Sequence, residues 1–250
     1  MSIAISVTRC LTALGALVAI PVFAAETKVA VAANFTGPAK EIAAGFQKAT
    51  GHKAALAFGS SGAFFTQISH GAPFEVFLSA DADRPSKAEK DGLAIPGTRF
   101  TYAVGQLVLY STTPGLVDGK GAILKSGSFD KIAIADPATA PYGVAAVEAM
   151  RKLGVYDRLK PKIVTGSSIA QAYQFTATGA AQLGFVTLSQ VITTAGGSRW
   201  IVPARLHGPI DQQAVLLNAG KNKPAAAAFV KYLKSRAALA IIRRYGYMTR

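Results

Sequence analysis

Lys28-Val29-Ala30-Val31-Ala32-Ala33 runs into Asn34-Phe35-Thr36-Gly37, and then into Pro38-Ala39-Lys40-Glu41-Ile42-Ala43-Ala44-Gly45-Phe46-Gln47-Lys48-Ala49-Thr50. The first six residues are few and apolar, the pattern of a strand buried on both faces. Asn34 to Gly37 makes a turn. Pro38 suits a first helical turn, where its missing N–H would have no partner. From Ala39 onward Ile42, Ala43 and Phe46 recur at helical spacing, and Gly51 predicts the helix end. One strand, one polar turn and one helix follow each other within 24 residues.

The same unit recurs along the chain. Strands are predicted at Lys53 to Phe58, Glu75 to Ala80, Lys131 to Ala135, Lys162 to Thr165, Leu183 to Leu188 and Gln212 to Leu217. Phe100 to Ser111 (FTYAVGQLVLYS) reads as one long strand. Helices are predicted after Gly62 through His70, at Pro85 to Gly92, Tyr142 to Leu153, through Thr178, and at Pro224 to Ser235 and Ala237 to Tyr245. No internal repeat of fixed period is present. Alternating short strands and helices predict an α/β fold with mainly parallel sheets flanked by helices. In such sheets ligands bind beyond the carboxyl ends of strands, where helices begin.

Four strands end alike, in turns of small or polar residues that lead into helices: Ala33-Asn34-Phe35, Ser60-Ser61-Gly62, Pro141-Tyr142-Gly143 and Ser167-Ser168-Ile169. A helix N-terminus carries unpaired N–H groups and a partial positive charge, so it can hold an oxyanion without Lys or Arg. The Ser61 and Tyr142 hydroxyls and the Asn34 amide would add neutral donors. Taken singly, Ser and Asn at helix starts are ordinary caps. The set of four is what points to a site.

Signatures of catalysis are missing. Gly59-Ser60-Ser61-Gly62-Ala63 has Ala where a nucleophile elbow needs its last Gly. Gly115 to Gly121 is one residue short of a P-loop and lacks its Ser or Thr. His52, His70 and His207 have no metal-ligand spacing, and no D-x-[DN]-x-[DN]-G calcium loop occurs. The sequence therefore predicts no enzyme, no metal-cation site and no resident cofactor.

The chain has 250 residues, is 50% apolar and carries 16% charged residues, which befits a globular protein. Arg9, the apolar run Leu11 to Ile20 and the small residues around Val22-Phe23-Ala24-Ala25 read as a signal peptide over residues 1–25. The run is too short to span a bilayer. Cys10 is the only cysteine and lies in that leader, so the exported chain would have none. The net charge is +14, and +13 once Arg9 is removed. That charge attracts anions of any kind. It is scattered, with Arg243-Arg244 the only Arg pair, and no nucleic-acid-binding motif accompanies it.

Val29 to Phe35, Gly59-Ser60-Ser61-Gly62, Gly71-Ala72-Pro73-Phe74-Glu75-Val76-Phe77-Leu78-Ser79-Ala80-Asp81, Ala135-Asp136-Pro137 with Ala140-Pro141-Tyr142-Gly143, and Gly184-Phe185-Val186 together resemble the molybdate-binding periplasmic proteins of ABC transporters (class II periplasmic binding proteins). The Gly71 to Asp81 stretch is the most specific. The resemblance implies two α/β lobes, 26–103 plus 216–250 and 104–215, with crossings near Tyr102 to Gln106 and Gln212 to Val215. It implies a monomer in the periplasm that holds a small tetrahedral oxyanion, molybdate or tungstate, in the cleft by hydrogen bonds and passes it to a membrane permease. Its site would comprise Ala33, Asn34 by side chain or N–H, Ser61 by Oγ–H and N–H, the Tyr142 hydroxyl, and Ile169 by N–H. Ala33 stands where close relatives can carry a hydroxyl, and Thr187 near where other branches place a tyrosine that Tyr142 would replace. A protein of this fold for sulfate, phosphate or a small organic anion is the alternative.

Overall fold

The computed structural model describes residues 24–249. The predicted leader up to Phe23, with Arg9 and Cys10, lies outside them. Among the described residues ten strands form in chain order: β1 (Glu26–Ala32), β2 (Lys53–Gly59), β3 (Val76–Leu78), β4 (Phe100–Val104), β5 (Leu107–Ser111), β6 (Ile132–Ala135), β7 (Ile163–Gly166), β8 (Leu183–Thr187), β9 (Ser198–Ile201) and β10 (Asp211–Leu216). They make two five-stranded sheets, ordered β2-β1-β3-β10-β4 and β7-β6-β8-β5-β9. In the first sheet β1 pairs parallel with β2 and β3, and only β10 runs against its neighbours. In the second, β6 pairs parallel with β7 and β8, and only β5 runs against its neighbours.

The two sheets therefore share one plan. In each, the reversed strand lies in the fourth place and is the one that has just crossed from the other half. The predicted mainly parallel α/β class holds. The inner strands β5, β6 and β8 are buried throughout, which is why they read as apolar runs without alternation.

Two sequence expectations change here. Phe100 to Ser111 is two strands in two sheets, broken at Gly105-Gln106: β4 pairs with β10, and β5 with β8 and β9. An apolar run does not reveal a change of sheet. The second crossing was expected at Gln212 to Val215, but those residues lie within β10. Ala214 and Val215 pair with Leu78 and Phe77 of β3, and both are fully buried there. The return from the second half therefore lies between Ile201 and Asp211, and residues 211–215 stay with the first sheet. β9 had no counterpart in the sequence reading.

Helices cover the sheets on the expected stripes. Helix Thr36–Thr50 buries Ala39, Ile42 and Phe46. The Phe46 ring meets Phe229 edge-on, with centroids 5.2 Å apart, an arrangement that adds to the area term. Gly51 ends this helix at φ 75°, and its N–H closes on Gln47 O at 2.9 Å. That left-handed position is open to glycine without strain.

Candidate functional site

At the junction of the two halves the carboxyl ends of five parallel strands face one small cavity. Its walls are Ala32 to Asn34 after β1, Gly59 to Ser61 after β2 and Ala80 after β3 on one side. Ala140 to Tyr142 after β6 and Ile169 after β7 line the other side. The cavity volume is about 10 Å³, on the scale of a single water-sized particle. All five expected residues, Ala33, Asn34, Ser61, Tyr142 and Ile169, line it, and each is buried. The convergence assumed from the sequence is thus present in the structure.

The turns divide their labour between neighbouring residues. Ser60 and Ser168 are the caps: their side chains accept from Ala63 N and Gln171 N, a contribution of roughly 0.5–2 kcal/mol each. The residue after each cap, Ser61 or Ile169, opens its helix. Tyr142 follows Pro141 in the first turn of helix Pro141–Lys152, and Asn34 sits in the 3-10 turn Ala33–Phe35. A residue so early in a helix has no intrahelical acceptor for its N–H. Four such N–H groups therefore line one cavity.

Two hydroxyls add to them. Ser61 Oγ accepts from Ala80 N at 2.9 Å, which orients the side chain and leaves its own proton to give. Tyr142 Oη accepts from Thr187 Oγ1 at 3.1 Å and from Gln212 Nε2 at 3.3 Å. The Asn34 side chain departs from expectation. Its Nδ2 donates to Gln212 Oε1 at 2.7 Å and to Tyr247 Oη at 3.1 Å, so both amide protons are used inside the protein. What Asn34 offers the cavity is its N–H. Its carbonyl in turn accepts from Tyr247 Oη at 2.6 Å and Ser189 Oγ at 2.9 Å.

Behind the cavity Asn34, Tyr102, Tyr142, Thr187, Gln212 and Tyr247, all buried, and the half-buried Ser189 form one polar cluster drawn from both halves and the C-terminal segment. Sequence reasoning missed Gln212 and Tyr247, which lie 178 and 213 residues from the Asn34 they bond. No local pattern carries that signal.

Neutral groups alone line the cavity, with no Lys, Arg, His or carboxylate. Asp136, the one carboxylate near a turn in sequence, instead accepts from Ala138 N at 2.9 Å within its own loop. Among the described residues no group of three His, Cys, Asp or Glu is placed to hold a metal ion, and no helix is long and apolar enough to cross a membrane. Burial raises the Tyr102, Tyr142 and Tyr247 phenols above their ordinary value, and like-charge neighbours reinforce this for Tyr102 and Tyr142. The three stay protonated donors at neutral pH. Such a cavity can enclose one compact anion stripped of its water and hydrogen-bonded on every side, which burial of a charge requires.

Two mixed sheets that meet around a small buried cavity lined by neutral donors define a solute-binding protein. The chain belongs to the family of bacterial extracellular solute-binding proteins, whose model matches residues 27–248. It is 60% identical to the molybdate-binding protein ModA of Rhodobacter capsulatus over 231 residues, 92% of this chain and 91% of that one. It is 55% identical to the molybdate-binding protein ModA of Azotobacter vinelandii over 246 residues, 97% and 98% of the two chains. Its fold superposes on the solved Azotobacter vinelandii periplasmic molybdate-binding protein with a TM-score of 0.87, at 44% identity, covering 90% of this chain and 99% of that one.

Proposed function

We propose that this protein is the periplasmic component of an ABC importer, and that it captures molybdate or tungstate as a fully ionised tetrahedral oxyanion. The observation that carries this reading is a buried cavity at the junction of the two sheets, lined by donors and by no charged side chain. Neutral donors hold a dianion without a counter-cation and release it when the halves part. The relatives of 55% and 60% identity are named for molybdate. Capture, not catalysis, is the task, and molybdenum or tungsten enters as the ligand and not as a resident cofactor. The leader over residues 1–25 takes the chain to the periplasm, where it works as a monomer and hands the ion to a membrane permease. Hydrogen phosphate fits less well, because its proton needs an acceptor and no carboxylate lines the cavity.

Calorimetry of the exported chain with molybdate, tungstate, sulfate and phosphate tests this. One-to-one binding of the first two, and not of sulfate or phosphate, is the expected result. Ser61→Ala and Tyr142→Phe should each weaken molybdate roughly 10- to 150-fold, the equivalent of one hydrogen bond to a charged group, about 1.5–3 kcal/mol. If molybdate and tungstate fail to bind while sulfate or an organic anion binds, the ligand assignment is wrong.

The phenols set the expected pH dependence. Their pKa values are raised in the folded protein, so folding holds these protons more tightly than an unfolded chain does. That contribution to stability is complete below the ordinary phenol value of about 10 and is lost as pH rises above it. Affinity for molybdate should therefore stay flat from about pH 7 to 9. A steady tenfold weakening over that window would show that a phenol in the cluster is already ionising.

A further inference from the structure

We propose that Gln212 fixes the direction of the Tyr142 proton and thereby makes the cavity select oxyanions that carry no proton. This rests on the oxyanion reading above. Gln212 is fully buried on β10, at the point where the β4–β10 register shifts between Gln212 and Gln213. An irregularity of that kind re-aims a side chain, and here it brings the carboxamide into the cluster behind the cavity. A carboxamide has one accepting and one donating end. Its Oε1 takes Asn34 Nδ2 at 2.7 Å and Tyr102 Oη at 3.1 Å. That leaves Nε2 to donate to Tyr142 Oη, 3.3 Å away.

Thr187 Oγ1 also donates to Tyr142 Oη, at 3.1 Å. With two donors on its oxygen, the phenol is left to act as a donor. The Tyr247 hydroxyl gives its own proton to Asn34 O at 2.6 Å, so toward Tyr142 it can only accept, and an oxyanion in the cavity outcompetes that neutral oxygen for the Tyr142 proton. Tyr142 therefore presents O–H, and not a lone pair, to an ion in the cavity. A bare oxyanion oxygen matches that. The hydroxyl of hydrogen phosphate does not, since its proton would meet another donor. A buried polar group left unpaired costs the wrong ligand far more than a small change in shape.

The test is the ratio of hydrogen phosphate to molybdate dissociation constants at pH 8, by calorimetry and competition, for the wild type, Gln212→Met, Gln212→Glu and Gln212→Glu with Tyr142→Phe. Melting curves check folding. Methionine removes the Nε2 donor and frees a lone pair on Tyr142, so the ratio should narrow tenfold or more. Glutamate accepts from Tyr142 and turns its proton away, so Gln212→Glu should weaken molybdate about 100-fold when made alone but markedly less when added to Tyr142→Phe. Equal weakening of both ions in Gln212→Met, or phosphate binding that stays unmeasurable, overturns the proposal and leaves Gln212 a structural residue. An equal loss in Gln212→Glu with and without the Tyr142 hydroxyl also overturns it, pointing to charge repulsion alone. Should Gln212→Glu fail to fold, the ratio in Gln212→Met decides. A wild type that does not bind molybdate defeats the parent reading instead, so the two failures are distinct.

Discussion

Gly62→Ala is expected to weaken molybdate binding by roughly 5- to 150-fold while leaving the melting temperature of the ligand-free protein unchanged or slightly higher. Gly62 lies in the first turn of helix Ser61–Ser69. Its N–H donates across the junction to Thr139 O at 2.8 Å. A Cβ at this position would sit 2.8 Å from Thr139 Cα, 3.0 Å from Thr139 O and 3.1 Å from Arg84 Nη2. Thr139 belongs to the other half, in the loop after β6, and its backbone cannot move aside as a side-chain tip would. The Arg84 tip belongs to the same half and can swing aside, so the clash that matters, with the Thr139 backbone, exists only when the halves are together. Overpacking of this kind costs about 1–3 kcal/mol, which converts to the stated loss of affinity. Gly62 has no positive φ, and alanine favours a helix over glycine by up to about 1 kcal/mol, so the fold itself should not suffer. Calorimetry paired with a thermal melt reads the two effects separately. Undiminished affinity in this variant would mean that the ion does not require the two halves to meet as they do here.

The strands and the polar turns were legible because their signal is local. Lys28 to Ala33, Ile132 to Ala135 and Leu183 to Thr187 are apolar runs bounded by turn residues, and Ser60 and Ser168 announce helix starts. The donors Asn34, Ser61 and Tyr142 followed from the same pattern, since each stands in a turn between a strand and a helix, whereas Ala33 and Ile169 entered as site residues through the family resemblance. What was not legible depends on contacts across the chain. β9, Ser198–Ile201, is an edge strand with two exposed residues, one of them a charged Arg199, and it has no periodic signature of its own. Nothing in FTYAVGQLVLYS marks the passage from one sheet to the other except Gly105, and a glycine within an apolar run is ambiguous. The Asn34 amide has the same chemistry whether it faces an ion or a protein acceptor. Only the positions of Gln212 and Tyr247, on β10 and near the C-terminus, decide that it serves the protein.

Gly105→Ala should cost both stability, by about 2–5 kcal/mol, and molybdate affinity, by about 100-fold or more. Gly105 sits where the chain leaves β4 for β5, and its N–H donates to Ile210 O at 2.9 Å, tying the first crossing to the second. Its φ is not positive, so space and not backbone conformation demands glycine. A Cβ there would lie 2.8 Å from Gln212 Nε2 and 2.9 Å from Tyr142 Cζ, with Tyr142 Oη closer still. Both neighbours are buried and hydrogen-bonded to each other, so neither can retreat without breaking the cluster that aims the Tyr142 proton. Strain in a packed core of about 1–3 kcal/mol then adds to the loss of buried hydrogen bonds, each worth about 0.5–1.5 kcal/mol. Denaturant titration and calorimetry measure the two losses. Tyr142→Phe supplies the control, because it removes the atom that the new methyl would strike first. In the Tyr142→Phe background, Gly105→Ala should destabilise the protein less than it does alone, a departure from additivity expected of groups in contact. Equal destabilisation in both backgrounds would place the damage in the crossing itself, through the Gly105–Ile210 link, and not in the displaced phenol.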